Sequence, residues 1–137
     1  MKTTETETTV LIVDDEKDFA ATLAERLELR GYRALAANCA EDALALVLSY
    51  PPDVVILDIK MPDLSGYEIL EEIKESVPTT EVILLTGHGA ITNGIDGVVK
   101  GAFDFLMKPV TMNTLLEKIQ AAKRKKDANN PEQKGTQ

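Results

Sequence analysis

Five short apolar runs, set apart by stretches of helical periodicity, constrain this chain more than any other feature. They are Val10-Leu11-Ile12-Val13, Arg33-Ala34-Leu35-Ala36-Ala37, Val54-Val55-Ile56-Leu57, Val82-Ile83-Leu84-Leu85 and Phe103-Asp104-Phe105-Leu106-Met107. Runs of this length read as strands, and runs that are apolar throughout, not alternately, read as strands buried on both faces. Between them, Phe19, Ala20, Leu23, Ala24 and Leu27 recur at helical spacing until Gly31, and Ala43, Leu44, Val47 and Leu48 do so until Pro51-Pro52. Ile69, Leu70 and Ile73 follow, closed by Val77-Pro78, and Leu115, Leu116 and Ile119 form the inner face of a last helix from about Met112. Asn38 with Glu41 has the spacing of a capping box and marks the start of the second helix. Strands alternating with helices mean a parallel sheet covered on both faces, an α/β doubly wound fold. Right-handed crossovers in a sheet of this size give the strand order 2-1-3-4-5.

One helix is unlike the rest. Ile91, Ile95, Val98, Val99 and Ala102 make an apolar face, but Gly94 and Gly97 interrupt it. Each glycine costs about 1 kcal/mol relative to alanine in a helix interior. Two readings stay open: a helix held by packing alone, or one that is soft because it must change.

Four of the five runs end in residues with chemistry. Asp14 and Asp15 follow the first, Asp58 the third, Thr86 the fourth and Lys108-Pro109 the fifth, whereas the second ends only at Asn38. Open α/β sheets bind ligands outside the carboxyl ends of their strands, where the strand order reverses. With the first and third strands adjacent, Asp14, Asp15 and Asp58 converge there, and carboxylates that close repel unless protonated or bridged by a cation. Magnesium, which takes carboxylates together with waters and phosphate oxygens, suits such a set. The chain has one histidine, His88, and one cysteine, Cys39, so a zinc site of His/Cys type is not expected. Phosphoryl transfer needs positioning and charge neutralisation above all. Asp58 offers a carboxylate nucleophile able to form an acyl phosphate, Lys108 an ammonium to neutralise the transferring oxygens, and Thr86 a hydroxyl donor.

Length and charge narrow the rest. A chain of 137 residues is one domain, large enough to bury a core without disulfide or metal staples. Its net charge of −8 is unevenly spread: residues 1–122 hold 10 basic and 21 acidic residues, residues 123–137 hold 5 and 2. An acidic body argues against electrostatic binding of nucleic acid, and Lys123-Arg124-Lys125-Lys126 is expected at a helix C-terminus, where cations complement the helix dipole. Residues 1–8 read as a disordered leader and residues 127–137 as a disordered tail or the start of a linker. With no signal peptide, no apolar stretch near the roughly 20 residues a membrane span needs and no cysteine pair, the expected location is cytoplasmic.

Residues 9 to about 122 resemble the receiver domain of bacterial two-component response regulators. The resemblance rests on Val-Asp14-Asp15-Glu, Ile-Leu-Asp58-Ile-Lys-Met-Pro-Asp-Leu-Ser-Gly66-Tyr, Leu-Leu-Thr86-Gly-His-Gly and Gly101-Ala-Phe-Asp-Phe-Leu-Met-Lys108-Pro109. It implies a flavodoxin-like (βα)5 three-layer sandwich over residues 9–126. It implies Asp58 as phosphoacceptor, Asp15 and Asp58 as direct ligands of Mg²⁺ (with Mn²⁺ as a substitute), the Lys60 backbone carbonyl as a further ligand, and Asp14 acting through water. Thr86 and Lys108 would hold the phosphoryl group, aided by the backbone N–H groups of Lys60 and Gly87, and the Lys108–Pro109 bond would be cis. The switch would pair Thr86 with Phe105, whose position is often tyrosine in the family; the missing hydroxyl leaves ring burial alone to carry it. Lys60 and His88 would tune the lifetime of the phosphorylated form.

The function so implied is a phosphorylation-dependent signalling switch, not an enzyme beyond slow self-catalysed gain and loss of phosphate. A histidine kinase or phosphotransfer protein would be the donor. The surface of the fourth helix, fifth strand and fifth helix would pass the signal on, or carry a homodimer. Two alternatives stand beside it. A haloacid-dehalogenase-like phosphohydrolase would call for Asp-x-Asp after the first strand where this chain has adjacent Asp14-Asp15, and a degenerate receiver serving only as an interaction module would not need the full set of site residues.

Overall fold

The computed structural model of the protein describes residues 7–60, 66–87 and 101–129. In chain order it contains β1 (Thr9–Val13), α1 (Lys17–Glu28), β2 (Arg33–Ala37), α2 (Ala40–Ser49), β3 (Val54–Asp58), α3 (Gly66–Ser76), β4 (Glu81–Thr86), β5 (Asp104–Met107) and a C-terminal helix (Met112–Ala128). The five strands form one sheet in the order β2-β1-β3-β4-β5, with every neighbouring pair parallel. The expected topology is therefore the observed one, and β2, the strand without chemistry at its end, lies at an edge. The glycine-interrupted helix and the loop residues 61–65 lie outside the described residues.

Side chains alternate across each strand, so the continuous apolar runs divide between two cores. Leu11, Val13, Val55, Leu57, Val82 and Leu84 pack with Ala43 and Val47 of α2 and with Ile69, Leu70 and Ile73 of α3. Val10, Ile12, Val54, Ile56, Ile83 and Leu85 pack with Ala20, Leu23 and Leu27 of α1 and with Leu115, Ile119 and Ala122 of the C-terminal helix. Every residue of β3 and β4 is buried, as strands covered by helices on both faces require.

Three details depart from the sequence reading. Helix α2 begins one residue later than the Asn38 capping box predicts: Cys39 is its N-cap residue, and the Cys39 side chain makes no capping hydrogen bond. The Asn38 amide instead donates to the Asp14 carbonyl at 3.0 Å, drawing the end of β2 toward the end of β1. Leu48, placed on the inner face by its spacing, is 62% exposed, one position round the helix from Val47, which takes the core-facing place. The C-terminal helix continues to Ala128, two residues beyond the expected boundary, and Lys123 and Asp127 close an i,i+4 ion pair at 2.8 Å over its last turns.

The amino edge of the sheet carries its own charge network. Glu81, buried at the start of β4, faces Lys125 of the C-terminal helix at 3.5 Å and Lys74 of α3 at 4.0 Å. Its Oε1 has no hydrogen-bond partner. Lys74 donates to the carbonyls of Pro78 and Thr80 at 2.9 and 2.8 Å. Burial depresses the Lys74 pKa and Lys125 adds to the effect, while Glu81 opposes it. Lys126 pairs with Asp53 at 3.0 Å. Three cations of the basic cluster are thus engaged by carboxylates of the domain itself.

Candidate functional site

Strand register fixes the site. Val13 lies opposite Leu57, so Asp14 and Asp58, one residue further along, leave the sheet side by side. Leu85 lies opposite Asp58 and Met107 opposite Thr86, which puts Thr86 and Lys108 along the same edge. Backbone bonds carry the ladder past the strand ends: Asp14 N–H to the Ala37 carbonyl at 3.1 Å, Ile59 N–H to Leu85 at 3.3 Å and Lys108 N–H to Thr86 at 2.7 Å.

Asp14, Asp15 and Asp58 each bring a carboxylate oxygen to within 4.8 Å of the others. Asp14 and Asp58 are buried and Asp15 is exposed. The Lys60 N–H donates to Asp58 Oδ1 at 3.1 Å, the local turn that follows an aspartate at a strand end. The Lys108 Nζ donates to Asp14 Oδ2 at 2.9 Å and stands 3.8 Å from Asp58 Oδ2. The Thr86 hydroxyl is fully buried and donates to the Gly87 carbonyl at 3.0 Å. Phe105 is half-buried against the core on the α2–α3 face. The Lys108–Pro109 peptide is cis. His88 lies outside the described residues.

Electrostatics follow from that crowding. Burial raises the Asp58 pKa to about 6, helped by the charges of Asp14 and Asp15 and opposed by the Lys60 N–H and the Lys108 ammonium. For Lys108, burial pulls downward, but the hydrogen bond and charge of Asp14, with Asp58 and Glu16, win and raise it. Among the described residues the Lys108 ammonium alone does not balance three carboxylates, so the cluster carries excess negative charge that a small cation would offset. All the side-chain donors are hard oxygens, a set that fits Mg²⁺ or Mn²⁺ and not a softer metal.

Two neighbours escaped the sequence reading. The Glu16 Oε1 accepts from Lys108 Nζ at 3.3 Å, and that ammonium also lies over the Phe19 ring, 4.4 Å from its centroid. Glu16 stands in the sequence only as the residue that follows Asp14-Asp15, and Phe19 as one member of a helical period. The one available signal was their place just after Asp14-Asp15, at the N-cap and in the first turn of α1 beside the sheet edge.

The geometry has counterparts among known proteins. The family model of the response regulator receiver domain matches residues 10–120. The chain is 40% identical over 121 residues to the probable transcriptional regulator ycf27 of Guillardia theta, covering 88% of this chain and 47% of that one. It is 35% identical over 121 residues to the transcriptional regulatory protein KdpE of Mycobacterium tuberculosis, covering 88% and 53%. The chain spans about half the length of these curated relatives. A crystal structure of a response regulator receiver domain protein from Clostridium thermocellum superposes with a TM-score of 0.85 at 39% identity, covering 88% of this chain and 98% of that one.

Proposed function

This chain belongs to the response regulator receiver domain family, and from that premise we propose that Asp58 is the acceptor of a phosphoryl group supplied by a histidine kinase or phosphotransfer protein. The observation that carries the reading is the placement of Asp58: a buried carboxylate level with Asp14 at the switch point of the sheet, with the Lys108 ammonium 3.8 Å away. A carboxylate nucleophile flanked by a fixed cation and by oxygens suited to a metal ion suits phosphoryl transfer.

In the transfer, an oxygen of ionised Asp58 forms a bond to phosphorus as the nitrogen–phosphorus bond of phosphohistidine breaks, and the released imidazole takes up a proton. Asp15, Asp58 and the Lys60 carbonyl would hold Mg²⁺, with Asp14 acting through water; when bound, the ion supplies the positive charge that the carboxylates and the phosphoryl oxygens lack. Lys108 moves from Asp14 toward the phosphoryl oxygens. The Thr86 hydroxyl leaves the Gly87 carbonyl to donate to the same group, with the N–H groups of Lys60 and Gly87 beside it. Phe105, behind Thr86 on the neighbouring strand, follows inward by ring burial, and the surface of the fifth strand and its flanking helices changes. Lys60 and His88, each two residues past a site residue, set how fast water removes the group.

The test is labelling by acetyl phosphate with Mg²⁺, followed by intact-protein mass. One acid-stable, base-labile phosphoryl group per chain is expected, and none in Asp58→Asn. Labelling that survives in that variant sinks the assignment, and so does a wild-type protein that never labels.

A further inference from the structure

Glu16 is the N-cap residue and Phe19 a first-turn residue of α1, yet both reach the Lys108 ammonium. Asp14 is used on both oxygens: Oδ1 accepts the Glu16 N–H at 2.9 Å, and Oδ2 accepts Lys108 Nζ at 2.9 Å. The carboxylate that holds Lys108 therefore also fixes the backbone from which the Glu16 side chain starts. Phe19 lies three residues on, on the same side of the helix, and an ammonium over a ring face is attracted by the ring quadrupole. Asp58, at 3.8 Å, is beyond hydrogen-bond distance. Building on the function proposed above, we infer that Glu16 and Phe19 are positioning residues, holding Lys108 on the α1 side of the carboxylate cluster and setting how readily its ammonium transfers to a phosphoryl group on Asp58.

The plain alternative is an exposed ion pair without consequence, since the Glu16 side chain is 66% exposed and such pairs are weak. Against it stands the shared cation. The ammonium is held at the same time by a buried Asp14 carboxylate, 1% exposed, and by the Phe19 ring, so its position is fixed from three sides.

The test uses the whole chain as wild type, Glu16→Gln and Phe19→Leu, labelled with acetyl phosphate and Mg²⁺. In that reaction an Asp58 oxygen bonds to phosphorus, and acetate leaves with the electron pair of the broken phosphorus–oxygen bond. Glu16→Gln removes a competitor for the ammonium and a negative charge facing the incoming anion, so both effects act in one direction. Labelling is expected to speed up ~2–5-fold, the range an exposed pair can supply, and the gain should shrink toward unity at about 1 M salt, where exposed charges are screened. A second readout needs neither metal nor phosphate: the Lys108 ε-methylene proton shift, displaced upfield by the Phe19 ring in wild type, should return toward its free value in both variants. An unchanged Glu16→Gln rate, or one equally raised in high salt, overturns the proposal even if the methylene shift moves. A shift that stays upfield in Phe19→Leu removes Phe19 from it. Should Asp58→Asn still label, the acceptor assignment fails instead, so the two failures are told apart.

Discussion

Gly66 approaches Ile59 so closely that a Cβ at Gly66 would lie 2.6 Å from the Ile59 Cα and 2.9 Å from the Asp58 carbonyl oxygen. The Gly66 N–H also donates to the Ile59 carbonyl at 2.7 Å. Helix α3 thus begins in direct contact with the peptide that follows Asp58, and only a residue without a side chain fits there. Gly66→Ala must displace backbone, not a flexible side chain. It should cost ~1–3 kcal/mol of stability, the usual range for overpacking, and slow Asp58 labelling because the displaced peptide follows Asp58 directly. Urea denaturation and the acetyl phosphate assay check both; an alanine variant as stable as wild type would show that the contact yields freely.

Asp58 gives the protein a pH-dependent weakness. Its pKa in the fold, about 6, is above the ordinary value of 3.8, so the folded state holds this proton more tightly than the unfolded one. The contribution to stability is fully present below about pH 3.8 and is lost as pH rises through about 6. Asp58→Asn, neutral at every pH, should therefore match wild type near pH 4 and exceed it by ~2–3 kcal/mol above about pH 7 without divalent metal. A difference between the two that stays constant from about pH 4 to 8 would refute this.

Lys74 ties α3 to the amino edge of the sheet through two carbonyls and Glu81. Lys74→Met keeps the aliphatic stem but removes both hydrogen bonds and one cation facing a buried carboxylate. Removing one side of such a group costs ~2–4 kcal/mol, which for a domain of this size lowers Tm by roughly 6–15 °C. Calorimetry checks it. Glu81→Gln should partly rescue Lys74→Met, because it removes the charge left behind; a double variant no better than Lys74→Met alone would count against the ion pair.

The strands, their order and the residues at their ends were legible because each is written locally: an apolar run, a helical period, a reactive residue at the junction. Asp14, Asp15, Asp58, Thr86 and Lys108 all lie at one edge for that reason. Glu16 was not legible as a neighbour of Lys108, since it follows the strand-end pair as the N-cap of α1 and only its side chain, turned back over the sheet edge, brings its carboxylate to the ammonium. Glu81 hid inside a strand for a similar reason: its cations come from α3 and from the C-terminal helix, on opposite faces. The cap of α2 misled because Asn38 has two competing uses, and the Asp14 carbonyl takes its amide. Local pattern favours the cap, and tertiary placement decides otherwise.

Strand β3 is paired on both sides and fully buried along its length. Amide protons of Val55, Ile56 and Leu57 can then exchange with solvent only when the whole domain opens, at the slow limit of the molecule. Asp58 ends that strand. If Asp58 takes up a phosphoryl group as proposed above, its carboxylate stands on a strand held from both sides, whereas Phe105 and Lys108 belong to the edge strand β5 and its end, paired on one side only, so the movement the group provokes would be directed outward toward β5 and not absorbed at the point of attachment.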